Sequence, residues 1–197
     1  MQMTLPSAAF PSAILAGLAL AHPALAQQSA EEVAAYELLD RMLNRADAEG
    51  PYGTGFRPLG PCRVELRLSQ RYAPGTAVDV FTEVDLGDLD MAARNVETAH
   101  PLIHALAVPL RAGAPDMTNT LELFDLSGEG RGPFTEKYDA TCDEAGCSAS
   151  QPAREAIFAT VGATAAADMK LVEPALVALA AACAPQDDNK GDASDGE

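Results

Sequence analysis

Two hydrophobic rhythms run through the chain. Over residues 29–46 apolar side chains recur at helical spacing: Val33, Tyr36, Leu39 and Leu43 fall on one face, with Arg41 and Arg45 opposite. Ser29 stands where an N-cap belongs, and Glu31 and Glu32 occupy the first turn, where the helix dipole favours acid. Residues 50–61 are rich in Gly and Pro and read as a connector. They lack GxGxxG and the Lys-Ser/Thr ending of a phosphate loop.

From Cys62 to Tyr72 the period changes to two. Val64, Leu66, Leu68 and Tyr72 alternate with Arg63, Glu65, Arg67, Ser69 and Arg71. After the turn signal Pro74-Gly75, Val78, Val80, Val84 and Leu86 alternate with Asp79, Phe81, Glu83 and Asp85. This is a hairpin with one apolar and one charged face. Matching the apolar faces, one register places Arg71 opposite Asp79 and Arg67 opposite Glu83, at the cost of Glu65 facing Asp85. Arg63, Arg67 and Arg71 are the candidate binding residues of the charged face, which in an antiparallel sheet is also the ordinary solvated side.

Residues 103–110 read as a third strand, with Pro109 suggesting an edge or bulge. Residues 118–126 and 134–142 read as a second hairpin around the loop 127–132, with Phe134, Tyr138 and Ala140 sharing a face. The next stretch is rich in alanine. Ser150 is a possible cap before Pro152, and residues 153–183 read as one kinked helix or two, divided at Pro174. Met169, Val172, Leu176, Leu179 and Cys183 form its apolar stripe. The expected fold class is α+β: a single antiparallel sheet of four to six strands, one face packed against an N-terminal helix and a C-terminal alanine-rich helical segment.

The chain's beginning reads as an address rather than a fold element. Residues 13–21 are apolar and short of a membrane span, and Ala24-Leu25-Ala26 matches an A-x-A cleavage pattern before Gln27-Gln28. The n-region carries no Lys or Arg; the first basic side chain is Arg41. Residues 1–26 are therefore expected to be a secretory signal peptide, 27–185 a single domain, and the polar segment 186–197 a disordered acidic tail. No transmembrane segment is expected after signal cleavage, and the location is periplasmic or extracellular.

The four cysteines, Cys62, Cys142, Cys147 and Cys183, fit that address, because an even count in an exported chain implies disulfides. The short spacing suggests a local Cys142–Cys147 bridge, leaving Cys62 with Cys183; four cysteines allow three pairings. A thiolate zinc site fits less well, since Cys-x4-Cys is wider than the usual spacing and has no second close pair.

Charge narrows the partners. With 29 acidic against 13 basic side chains and a net charge of -16, the surface repels phosphate backbones, so no nucleic acid is expected. The acidic turn 85–90 lacks the ligand spacing of a calcium loop. His100 and His104, four apart with Glu97 nearby, are the candidate metal ligands. Pro101 opposes helical geometry at His100, and no general-base Glu stands between the histidines. There is no G-x-S-x-G elbow and no haem signature. No motif calls for a cofactor. The leading expectation is an exported, non-enzymatic module that binds a protein or small ligand of the cell envelope. The alternatives are a metal or redox accessory protein, or a hydrolase of unrecognised type.

Overall fold

The computed structural model describes residues 29–46, 50–144 and 146–184. The signal segment 1–26 and the tail 186–197 lie outside the described residues. In chain order the elements are α1 (Ala30–Leu43), β1 (Tyr52–Pro58), β2 (Arg63–Ala73), β3 (Thr76–Asp85), a single 3-10 turn (Leu86–Asp88), β4 (Asn95–His100), β5 (Ile103–Pro109), β6 (Met117–Asp125), α2 (Arg131–Tyr138), β7 (Thr141–Cys142), β8 (Cys147–Ala153), β9 (Glu155–Val161) and α3 (Ala165–Cys183). The class is α+β, but the expected single sheet is two antiparallel sheets. Six strands run in the order β1-β2-β3-β6-β8-β7, and three in the order β4-β5-β9.

α1 begins on a reciprocal capping box. Glu32 N donates to Ser29 Oγ at 3.2 Å, and Ser29 N donates to Glu32 Oε2 at 2.6 Å. Its buried face is Tyr36, Leu39, Met42 and Leu43; Val33, expected in the stripe, is exposed. The helix stops at Leu43, earlier than expected, because residues 44–46 turn to pair with β1. Thr54 N donates to Arg45 O at 2.7 Å, and Phe56 N to Asn44 Oδ1 at 2.7 Å. The expected connector over 50–61 is thus largely a strand. Its alternation, Tyr52-x-Thr54-x-Phe56, was masked by Gly53 and Gly55 between the larger side chains.

The β2–β3 hairpin forms with its apolar faces matched, but its register lies two residues from the expected one. Pro74-Gly75 makes the turn tight, with Gly75 at φ 82°, so Ala73 pairs with Thr76 and Ser69, not Arg71, stands opposite Asp79. A two-residue shift keeps every side chain on its face. The ion pairs become diagonal: Arg63–Glu83 and Arg67–Asp79, each at 2.7 Å. Glu65, now opposite Glu83, is held by Arg57 of β1 at 2.7 Å. The repulsion expected at Glu65 is answered by β1, a strand where the Gly/Pro-rich sequence predicts a connector.

Of the segment 134–142, only Thr141–Cys142 is a strand; Phe134 to Tyr138 belongs to α2. Phe134 and Tyr138 are four apart, a spacing that places two residues on one face of a strand or of a helix. Here it is helical, with their ring centroids 4.9 Å apart. The preceding loop is built on Asp125, a buried side chain that accepts from Ser127 N (2.9 Å), Ser127 Oγ (2.7 Å) and Gly130 N (2.7 Å). The Ser127 hydroxyl, with help from these backbone amides, lowers the Asp125 carboxyl to about 2. Held below its unfolded value of 3.8, the carboxylate contributes stability at pH values above that figure, and loses it as pH falls through about 2. Asp125→Asn is expected to be less stable at neutral pH and to lose this part of the acid-side dependence. Thermal unfolding of both proteins between about pH 5 and pH 2 measures it, and superimposable profiles would contradict the role.

Residues 147–161 are also strands rather than the start of the terminal helix. Ser150, the expected cap, lies in β8 opposite Thr120. β8 belongs to the large sheet and β9 to the small one, and the chain changes sheets at Arg154. Its backbone carbonyl accepts from Leu110 N at 2.8 Å, and its guanidinium binds Asp116 Oδ1 at 2.7 Å. α3 starts only at Ala165 and runs through Pro174 without a boundary. Met169, Val172, Leu176 and Leu179 are buried as expected.

Among the described residues, α1, α2 and α3 pack on one side of the large sheet. The main core joins Phe56, Val64, Leu66 and Val84 to Leu106 and Phe158 of the small sheet and to the buried faces of α1 and α3. A smaller core places Phe134 of α2 on Leu121, Leu123, Cys147 and Ala149. On the same face the buried Thr82 donates to Asn119 Oδ1 at 2.6 Å, which satisfies its hydroxyl. The cysteines lie in two pairs at disulfide distance: Cys62–Cys183 with S–S 2.11 Å and Cys142–Cys147 with S–S 1.99 Å. Among the described residues no helix is long and apolar enough to cross a membrane.

Candidate functional site: the uncovered sheet face

Strand alternation gives the large sheet a second face that no helix among the described residues covers. β2 contributes Arg63, Glu65, Arg67, Ser69 and Arg71. β3 adds Asp79, Phe81 and Glu83, and β6 adds Thr118, Thr120, Glu122 and Phe124. None of these side chains is buried. The three arginines expected to carry binding all lie here, spaced about 13 Å apart along one strand. Each has a partner. Arg63 binds Glu83, Arg67 binds Asp79 with its guanidinium 5.8 Å from the Phe81 ring centroid, and Arg71 donates to Gly50 O at 3.0 Å.

Depressions mark this face and its β1 edge, and two of them are lined by arginine side chains. The first, about 440 Å³, lies where residues 44–46 meet β1 and β2. It is lined by Arg45, Arg67 and Arg71, with Thr54 and Ser69 between them. Gly53 also lines it, and Gly55 lies beside it opposite Arg67. A Cβ on Gly55 would stand 3.1 Å from Arg67 Cβ, so glycine there leaves room for the arginine to lie flat. Arg45 reaches across to α3, binding Asp168 Oδ2 at 3.0 Å and Thr164 Oγ1 at 3.3 Å. The second depression, about 590 Å³, is lined by Phe81 with Arg57, Glu65, Glu83, Thr120 and Glu122 among others. Arg57 donates Nε and Nη2 to the two Glu65 carboxylate oxygens at 3.0 and 2.7 Å, a bidentate pair that raises the Arg57 pKa and orients its guanidinium. Arg63 lines neither depression.

Sequence reasoning found Arg67 and Arg71 but missed Arg45, Gly53 and Thr54, because it read their neighbourhood as a helix end and a loop. The period-two pattern from Tyr52 to Phe56 was the available signal.

The candidate metal ligands sit elsewhere, in the β4–β5 hairpin. His100 Nδ1 accepts from Leu102 N at 3.2 Å, with its ring 5.5 Å from that of Tyr52. His104 Nδ1 lies 3.3 Å from Thr98 Oγ1. Thr98 pairs with His104 and Glu97 with Ala105, so Glu97 points to the opposite face from His104. Among the described residues no group of three or more His, Cys, Asp or Glu side chains is placed to hold a metal ion. No family model matches the chain, and neither a curated protein nor a solved structure matches it.

Proposed function

We propose that the protein is exported to the periplasm or cell exterior and works there as a non-enzymatic module that binds a partner protein or small ligand through the uncovered face of its large sheet. The observation that carries this reading is the division of labour between the two sheet faces. Among the described residues the helices pack on one, while the other keeps Phe81 half-buried among paired charges and open depressions. An aromatic anchor within a rim of charged and hydroxyl groups is the usual make-up of a recognition surface. Because its guanidinium and carboxylate groups are already paired across strands, the face offers both signs of charge at fixed positions, which suits selection of a complementary partner. Export is supported by the two disulfide pairs and by the signal-like first residues.

Native mass spectrometry of the protein isolated gently from its own cells tests the reading. The expected species starts at Gln27, carries the mass deficit of two disulfides, and retains a second chain or a small molecule. The same preparation of a Phe81→Ala variant is expected to lose most of that added mass. A chain that keeps Met1 would overturn export, and an adduct retained at full occupancy by Phe81→Ala would overturn the assignment of the face.

A further inference from the structure

A sheet edge presents unpaired backbone N–H and C=O groups, and proteins blunt such edges with short strands, covering segments, prolines or lysines. Three of the four edges here are blunted. β1 is covered by residues 44–46 through the Thr54 and Phe56 amide bonds and the Gly53–Ala46 bridge. β7 is two residues long, with Arg131 donating beside it to Asp143 O at 2.7 Å and Glu144 O at 3.1 Å, and the part of β8 that runs past it, Ala149–Ala153, carries Pro152. β9 lies against α1 and β1. β4 is different. All six of its residues are exposed, and among the described residues it pairs only with β5. It holds no proline and no lysine, and its one irregularity falls at its end, between Thr98 and His100. Val96 stands 45% exposed on it.

We propose that β4 is a docking edge to which a partner protein adds a short extended segment carrying Lys or Arg, as an extra strand. Main-chain hydrogen bonds would supply the affinity, as in other strand-addition complexes, and side chains on alternate positions the selectivity. Charge selects the occupant. The only charged side chain in Asn95–His100 is Glu97, whose one hydrogen bond in the structure comes from the neighbouring Asn95 Nδ2 at 2.9 Å. A cation opposite Glu97 makes a favourable cross-strand pair. The net charge of -16 steers basic segments in and repels a second copy of the chain, which would also bring its own Glu97 near this one. The edge is separate from the uncovered face of the large sheet, so either surface can fail its test without the other.

The probe is an end-blocked peptide, Lys-Val-Lys-Thr-Lys-Val-Lys, compared with a copy of equal charge N-methylated at alternate amides. Amide hydrogen exchange and fluorescence anisotropy on the mature protein read the outcome. The expected result is slowed exchange at alternate residues of Asn95–His100, binding weakened at least tenfold by N-methylation, and binding weakened about fivefold by Glu97→Lys, the upper range for a cross-strand charge pair. Arg67→Ala, on the other surface, is expected to leave peptide binding unchanged. Equal binding of the N-methylated peptide would show charge attraction alone and overturn the proposal. So would binding without protection of β4, or β4 protection that grows with protein concentration in the absence of peptide, which would assign the edge to a second copy.

Discussion

The double variant Cys62→Ser/Cys183→Ser is expected to lose about 4–5 kcal/mol of stability and to melt about 10–20 °C lower. The bridge spans 121 residues of sequence and ties the end of α3 to the residue before β2. Releasing so long a loop restores much chain entropy to the unfolded state. The native state also has local reasons to hold this junction. Tyr36 donates its phenol proton to Pro61 O beside Cys62. Gly87 packs so close to the Cys183 carbonyl that a Cβ there would collide with it. The companion variant Cys142→Ser/Cys147→Ser opens a loop of sequence separation 5, for which the same relation gives about 2 kcal/mol. Denaturant unfolding of both variants under oxidising conditions checks the pair. Equal losses, or a smaller loss for Cys62→Ser/Cys183→Ser, would contradict the assigned roles.

Phe158→Ala is expected to cost about 3–5 kcal/mol, the range for removing a fully buried aromatic ring. Phe158 is 1% exposed in the middle of β9, opposite Leu106, within the core that joins the small sheet to α1 and α3. The large sheet reaches the same core through Phe56, Val64 and Leu66, so the cavity would open where both sheets and both long helices meet. Phe81→Ala is the contrast: the same truncation on the uncovered face should stay within about 1 kcal/mol, since the ring is only partly buried. Chemical denaturation measures both. A loss below about 1 kcal/mol for Phe158→Ala would mean that the sheets are not coupled through this ring.

Elements whose pattern admits one period were legible from the residues alone. The Ser29 cap and the Tyr36, Leu39 and Leu43 face of α1 allow only a helix, and the apolar stripe of α3 from Met169 to Leu179 does the same. The strict alternation of β2 and β3 allows only a hairpin. Failures came where two readings shared a spacing. Phe134 and Tyr138, four apart, serve a strand or a helix. Ala153, Ala156 and Ala159 carry helical propensity, but tertiary pairing of β8 with β6 and of β9 with β5 overrides it. β4 was invisible because a fully exposed edge strand has no buried side to impose a pattern. The site was half legible for the same reason. Alternation put Arg63, Arg67 and Arg71 on one face, but the arrival of Arg45 depends on residues 44–46 pairing with β1, a contact that no local pattern encodes. The split into two sheets likewise depends on a change of direction at Arg154, whose partners Arg111, Ala114 and Asp116 are some forty residues away.

The central claim is that the uncovered face of the large sheet is where this protein meets its partner or ligand. A photoreactive side chain placed in turn at Thr118 and Glu122 on that face, and at Glu37 of α1 and Lys170 of α3 as exposed controls, tests it most directly in producing cells. The expected result is a discrete adduct from Thr118 and Glu122 that weakens when Phe81→Ala is added, with none from the helix positions. Adducts from Glu37 or Lys170 alone, or none from any of the four, would contradict it.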